Sequence, residues 1–141
     1  MKLFVDTWGW LAQEDRKEPR HAAAVRCYRE RSRIPGGIVT SDYVLDETLT
    51  LLFRRRPFPE AWRYAQGMMA SAAARFLTIE TVGPERFRKA LELRRRYADK
   101  PKISFTDLTS MVIMQDLQVQ DILTADAHFR QVGLDFRIVP G

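Results

Sequence analysis

Four carboxylates, Asp6, Glu47, Asp107 and Asp126, are spaced so that one rim of a folded sheet can gather them. Ligands of open parallel sheets collect outside the carboxyl ends of the strands. Asp6 directly follows the apolar run Leu3-Phe4-Val5, and Asp126 follows a run ending at Thr124. Glu47 sits two turns into a helix launched from a second strand, and Asp107 lies in the first turn of the helix before the fourth. No basic residue stands at a compatible position beside them. Like carboxylates brought together repel and raise one another's pKa, and a divalent cation resolves that conflict. Mg²⁺ and Mn²⁺ take oxygen ligands and keep several waters, which suits a shallow acid cluster open to a phosphate. Such an ion lowers the pKa of water and stabilises charge developing on a phosphodiester.

Each acid also has a structural use. Asp6 can cap the helix that follows it, and Asp107 is three residues after Ser104, the spacing of a capping box. Asp126 can cap a short helix beginning at Ala127. Glu47 shares a helix edge with Val44 and Leu51, where a carboxylate needs a partner if buried, whereas Asp46 points away as a solvated residue. Neither histidine is required by this chemistry: His128 reads as solvent-facing or a local cap, and His21 as an exposed helix residue.

The elements that must position these residues alternate. Leu3 to Val5 reads as a strand, Trp8 to Gln13 as a helical start, and Pro19 as the opening of an Ala-rich helix to Arg31. Gly37 to Thr40 gives a second strand. Ser41 then caps a helix with Val44, Leu45, Thr48, Leu51 and Leu52 inward. Pro57 and Pro59 start another helix to Ala74, Arg75 to Val82 forms a third strand, and Gly83-Pro84 restarts a helix with Phe87, Ala90, Leu91, Arg94 and Tyr97 on one face. After the Lys100-Pro101-Lys102 loop, Ser104 caps a helix from Thr106 to Asp116 with Leu108, Met111 and Val112 inward. Asp121 to Thr124 is a fourth strand, Ala127 to Val132 a short helix stopped by Gly133, and Phe136 to Val139 a last strand. Strands separated by helices imply right-handed crossovers, hence a parallel sheet in a three-layer α/β/α fold. No linker or repeat divides the chain, so residues 1–141 read as one domain.

The composition is that of a globular protein: 141 residues, 45% hydrophobic and 29% charged, which excludes a disordered or disulfide-built chain. Apolar runs are broken by charges within a few residues, and a single cysteine, Cys27, offers neither a pair nor a zinc motif. A cytoplasmic protein with no membrane span is expected. The net charge of +5 permits a polyanionic partner, and gathering four acids in one cleft leaves the remaining surface more basic still. Arg54-Arg55-Arg56 and Arg94-Arg95-Arg96 are candidates for phosphate contact, with a solvated face as the alternative. Lys100 and Lys102 are better placed for RNA because their loop leads into the acidic rim. Phe53, Phe58, Trp62, Tyr64, Met68 and Met69 are expected to be mostly core.

The runs Phe4-Val5-Asp6-Thr7, Val44-Leu45-Asp46-Glu47-Thr48, Ser104-Phe105-Thr106-Asp107 and Leu123-Thr124-Ala125-Asp126-Ala127-His128-Phe129 together resemble the PIN-domain nucleases, and most of all their VapC-like toxin branch. The resemblance spans nearly the whole chain. It implies metal-binding, catalytic roles for Asp6, Glu47, Asp107 and Asp126, supporting hydroxyls at Thr7 and Thr124, and the family's aromatic at Phe129. It further implies a five-stranded parallel sheet, Mg²⁺- or Mn²⁺-dependent cleavage of single-stranded RNA, a homodimer, and an antitoxin that blocks the site. In the mechanism so implied, Asp6, Glu47 and Asp107 hold an ion directly or through water, Asp126 supports it or a second ion, and water attacks phosphorus in line. An RNA-maturation nuclease would carry the same site. A phosphoacceptor receiver module needs paired acids after the first strand and a Lys after the fifth, both missing here. A binding domain that has lost its chemistry is disfavoured by the intact acid set.

Overall fold

The computed structural model describes all 141 residues. In chain order the elements are β1 (Leu3–Val5), α1 (Thr7–Glu14), α2 (His21–Ser32), β2 (Ile38–Ser41), α3 (Asp42–Arg55), α4 (Phe58–Ala73), β3 (Leu77–Glu80), α5 (Gly83–Arg96), α6 (Phe105–Leu117), β4 (Asp121–Leu123), α7 (His128–Gln131) and β5 (Arg137–Val139). The sheet has five strands in the order β3-β2-β1-β4-β5, every neighbouring pair parallel, inside a three-layer α/β/α arrangement. The expected fold class and strand number therefore both hold.

This order puts the topological switch beside β1, because the chain leaves it toward β2 on one side and later adds β4 on the other. Val5 pairs with Leu123, so the residues that follow the two strands, Asp6 and Thr124, emerge side by side. The three central strands, β2, β1 and β4, are short runs buried on both faces, while the edge strands β3 and β5 are partly exposed. Helix α6 is enclosed to an unusual degree, with Leu108 through Met114 all buried, so it behaves as a central core helix. Asp107 stands one residue before that buried run and inherits its rigidity.

The approach of α1 to the sheet rests on Gly9. A Cβ there would lie 2.6 Å from the carbonyl oxygen of Leu123 and 2.9 Å from Cγ1 of Val5. Gly9→Ala is therefore expected to cost on the order of 1–3 kcal/mol, read by urea denaturation, and to displace the Asp6 turn. Unchanged stability would mean that α1 does not sit this close to β4.

Several expectations need correction. Pro19 does not open α2, which begins at His21 with Arg20 before it and no side-chain cap. The inward face of α5 is Ala90, Leu93 and Tyr97, and Phe87 and Leu91 are exposed. Packing against α6 rotates that stripe, while Phe87 rests its ring 5.0 Å from Phe105. Leu51 is only half-buried on α3. The third strand is confined to Leu77–Glu80, since Arg75 takes a left-handed φ of 66° that ends α4 and Phe76 is exposed. The aromatic run over α3 and α4 is mostly not core: Met68 is buried, Phe53 and Tyr64 are intermediate, and Phe58, Trp62 and Met69 are exposed. Phe58 stacks on Trp62 at 5.8 Å, so these rings cover one another on the surface. No helix is long and apolar enough to cross a membrane.

Candidate metal centre

Asp6 does two things at once. As the N-cap of α1 its Oδ1 accepts the N–H of Gly9 at 2.9 Å, which is the structural use open to it from sequence. The same side chain is buried at the end of β1, 6% exposed, among other acids. Burial pushes its carboxyl up to about 7; hydrogen bonds from Thr124 and from the Gly9 N–H pull it down, and the charges of Asp126 and Glu47 push it up. A cap does not require that burial.

Asp107 enters from the first turn of α6. Ser104 caps this helix, its Oγ accepting the Asp107 N–H at 3.1 Å. Its carboxyl is held well above the usual carboxylate range, first by burial and then by the Asp126 charge, the hydrogen bond shared with Asp126, and Asp6, with Ser104 acting in the opposite sense. Thr124, fully buried, accepts the N–H of Asp126 at 3.0 Å, and Asp126 Oδ1 in turn accepts the N–H of His128 at 2.9 Å. Thr124 thus touches two of the acids. The Thr7 hydroxyl accepts a long hydrogen bond from the Thr48 hydroxyl, at 3.5 Å, and none joins it to the acids.

Ligand atoms from Asp107, Asp126 and His128 lie within 4.8 Å of one another. Nδ1 of His128 is buried 2.9 Å from Asp126 Oδ1 yet out of line for a hydrogen bond, and has no other partner. The sequence reading of His128 as solvent-facing or a local cap is met in part: its N–H closes the Asp126 turn and its side chain is 27% exposed, but Nδ1 turns back toward the acids. The available signal was its position two residues after Asp126, where the turn closed by the Asp126 carboxylate brings the imidazole back beside it. His21 is settled differently, with Nδ1 2.7 Å from the Ala12 carbonyl.

Neither Asp6 nor Glu47 is part of this tight group: Asp6 stands beside it, near enough for its charge to act on Asp107 and for those of Asp126 and Glu47 to act on Asp6. Glu47 is exposed on α3, so the argument that burial forces a partner on it does not apply. It faces the same rim: a surface cavity of about 410 Å³ is lined by Tyr43, Glu47, Arg54 and Thr106, the last being the neighbour of Asp107. Asp46 is exposed, as expected.

No lysine or arginine pairs with any of the four acids. The basic side chains are committed elsewhere: Arg31 and Arg137 to Asp121, Arg56 to Glu14 and Asp15, Arg86 to Glu80 and Asp116. Two carboxyls raised first by burial and then by neighbouring acids, beside Asp126 and an orphaned imidazole nitrogen, form a donor set that fits a divalent cation. A larger groove of about 870 Å³ lies away from this rim, where Trp10, Tyr28 and Tyr64 meet Glu14 and Arg63.

Among the candidate phosphate contacts, Arg94 is not free. It donates to the carbonyls of Tyr97, Lys100 and Ile103, holding the loop ahead of Ser104 in shape. Arg56 is similarly taken, whereas Arg54 and Arg55 are exposed. Lys100 pairs with Asp99 at 3.0 Å, and Lys102 is exposed without an ion pair.

The family model of the PIN domain matches residues 3–134. The chain belongs to the PIN-domain family. This PIN domain is 33% identical over 134 residues to the 23S rRNA-specific endonuclease VapC20 of Mycobacterium tuberculosis, in strains CDC 1551 / Oshkosh and ATCC 25618 / H37Rv alike, a match covering 93% of this chain and 94% of the relative. The crystal structure of M. tuberculosis VapC20, described as a sarcin-ricin loop cleaving toxin, matches this PIN domain with a TM-score of 0.76 and 30% identity, over 96% of this chain and 99% of that one. Membership of the PIN-domain family removes the phosphoacceptor receiver alternative.

Proposed function

We propose that residues 1–141 act as one nuclease domain, a divalent-cation-dependent endoribonuclease and toxin whose substrate is ribosomal RNA. The observation that carries this is the approach of half-buried Asp107 and Asp126 to buried Asp6 with no basic partner, on a chain a third identical along nearly its whole length to an rRNA-specific endonuclease. The relative favours toxin over RNA maturation.

Asp6, Asp107 and Asp126 would hold the ion, Mg²⁺ or Mn²⁺, with Glu47 reaching it through water from the solvent side. When bound, the cation supplies Lewis-acid stabilisation of phosphoryl charge and acidifies water, permitting hydrolysis at neutral pH. The protein's own contribution is preorganisation. The α1 cap and Thr124 fix Asp6, the Thr124 hydroxyl fixes the turn that carries Asp126, and buried α6 fixes Asp107. The shallow rim leaves room for an RNA backbone. Lys102, and Lys100 once released from Asp99, would meet its phosphates. An antitoxin that covers the site, and pairing of two copies into a homodimer, complete the proposal; the exposed row Phe58, Trp62 and Met69 on α4 offers apolar surface for such a protein partner.

The test is incubation of the purified protein with ribosomes and naked 23S rRNA, with Mg²⁺, with Mn²⁺ and with EDTA. A discrete fragment in either metal, abolished by EDTA, supports the reading. No cleavage with any ion, or equal cleavage in EDTA, overturns it. Lys102→Ala is expected to flatten the salt dependence of RNA binding by about 0.7 in the slope of log K against log salt, as loss of one phosphate contact requires. An unchanged slope removes Lys102 from the interface.

A further inference from the structure

We propose that His128 is a nitrogen ligand of this centre and biases it toward Mn²⁺ over Mg²⁺; this rests on the acid pocket being a metal centre. The acids alone would make an all-oxygen site, which suits Mg²⁺ and Mn²⁺ alike. An imidazole donor changes that balance, because nitrogen ligands favour first-row transition ions and Mg²⁺ prefers oxygen.

Three features of the structure converge on His128. Its Nδ1 is buried and has no hydrogen-bond partner although the side chain as a whole is 27% exposed, and a buried polar atom left so is destabilising unless something fills the gap. Asp126 Oδ1 lies 2.9 Å from it and already accepts the backbone N–H of His128. Two such atoms converging without a well-directed proton between them are suited to a shared cation. The third donor, from Asp107, lies within 4.8 Å of both. Atoms on opposite sides of one ion stand about 4.2 Å apart, so only small side-chain rotations separate this arrangement from a closed one.

The imidazole is also held in place. Phe129, the next residue, is fully buried with its ring 6.2 Å from that of Phe136, which pins the short α7 against the core. The only other histidine has its Nδ1 at the Ala12 carbonyl. His128 is therefore the one imidazole placed to serve as a ligand.

The direct test is electron spin echo spectroscopy of Mn²⁺ bound to the metal-stripped protein, prepared with natural-abundance and with ¹⁵N-labelled histidine. A nitrogen coupling that changes with the label is expected, and it needs no variant. Calorimetric titration of His128→Asn is then expected to show Mn²⁺ affinity lowered about tenfold or more, with Mg²⁺ affinity changed much less. Mn²⁺ bound without histidine coupling, or Mn²⁺ and Mg²⁺ affinities falling together in His128→Asn, overturns the assignment while the acid centre stands. If neither ion binds the wild type, the metal centre itself falls, and the role of His128 falls with it.

Discussion

Asp107→Asn is expected to lower RNA cleavage by about 10³-fold, equivalent to about 4 kcal/mol of transition-state stabilisation, without unfolding the protein. The substitution keeps the side chain's size and leaves the cap intact, because Ser104 accepts the backbone N–H of residue 107 rather than its carboxyl. What is lost is one of the ionisable donors that converge with Asp126 and His128. Asp46→Asn is the matched control. Asp46 is exposed on α3 beside Glu47 and carries the same formal charge, so a comparable loss there would point to general electrostatics rather than to a built centre. Cleavage assays with circular dichroism on both variants separate the two cases. Retention of more than about a tenth of wild-type cleavage by Asp107→Asn would remove this residue from the machinery.

The second expectation concerns stability. The metal-free protein should become less stable as the pH rises from about 4 to about 7, and the divalent cation should reverse the loss. Asp6 ordinarily ionises near 3.8 but is pushed up to about 7 in the fold, chiefly by burial. Between those values the native state keeps a proton that the unfolded chain has released, so unfolding becomes easier as the pH rises. The contribution is fully present below the unfolded value and is lost as the pH passes through the folded one. Its size is of order a few kcal/mol, and Asp107, raised for the same reason, acts in the same direction.

Asp6→Asn provides the decisive comparison. Asparagine caps helices as well as aspartate does, so the variant keeps its bond from Gly9 while losing the carboxylate. In EDTA at pH 8 it should melt several degrees above the wild type, and Mg²⁺ should raise the wild-type melting temperature far more than that of the variant. A functional group that destabilises the empty fold is the signature of a site built for its ligand. If wild type and variant melt in parallel from pH 4 to 8 in EDTA, Asp6 is an ordinary helix cap.

The layer architecture was legible because strand and helix differ in hydrophobic period and because Gly83-Pro84, Pro57 and Ser41 punctuate the chain. Asp6 and Asp126 could be placed because a parallel sheet exposes whatever follows its strands. The faces of α5 and the run over α3 and α4 were harder. Phe87, Leu91, Phe58 and Trp62 are apolar in type yet exposed, and which side of a helix is buried depends on the neighbour it packs against. Glu47 was assigned to a border that the structure opens to solvent, since a single step around a helix moves a side chain by about 100°. His128 was passed over for a related reason: its contact with the acids is made by a turn in which a carboxylate hydrogen-bonds the backbone two residues on. Spacing records that turn only once Asp126 is known to sit at a strand end. Arg94 looked like a phosphate ligand because a run of three arginines shows its charge and hides its three carbonyl acceptors.

All of this depends on the acid pocket being completed by a hard ion. Calorimetric titration of Mg²⁺ into metal-stripped protein near pH 6.5, in two buffers of different ionisation enthalpy, reads binding and proton release together. Saturable binding with net release of protons, abolished in Asp6→Asn/Asp107→Asn, is predicted, because the ion must displace the protons these carboxyls hold. Absence of saturable binding, or binding that releases no proton and survives the double substitution, would contradict the account.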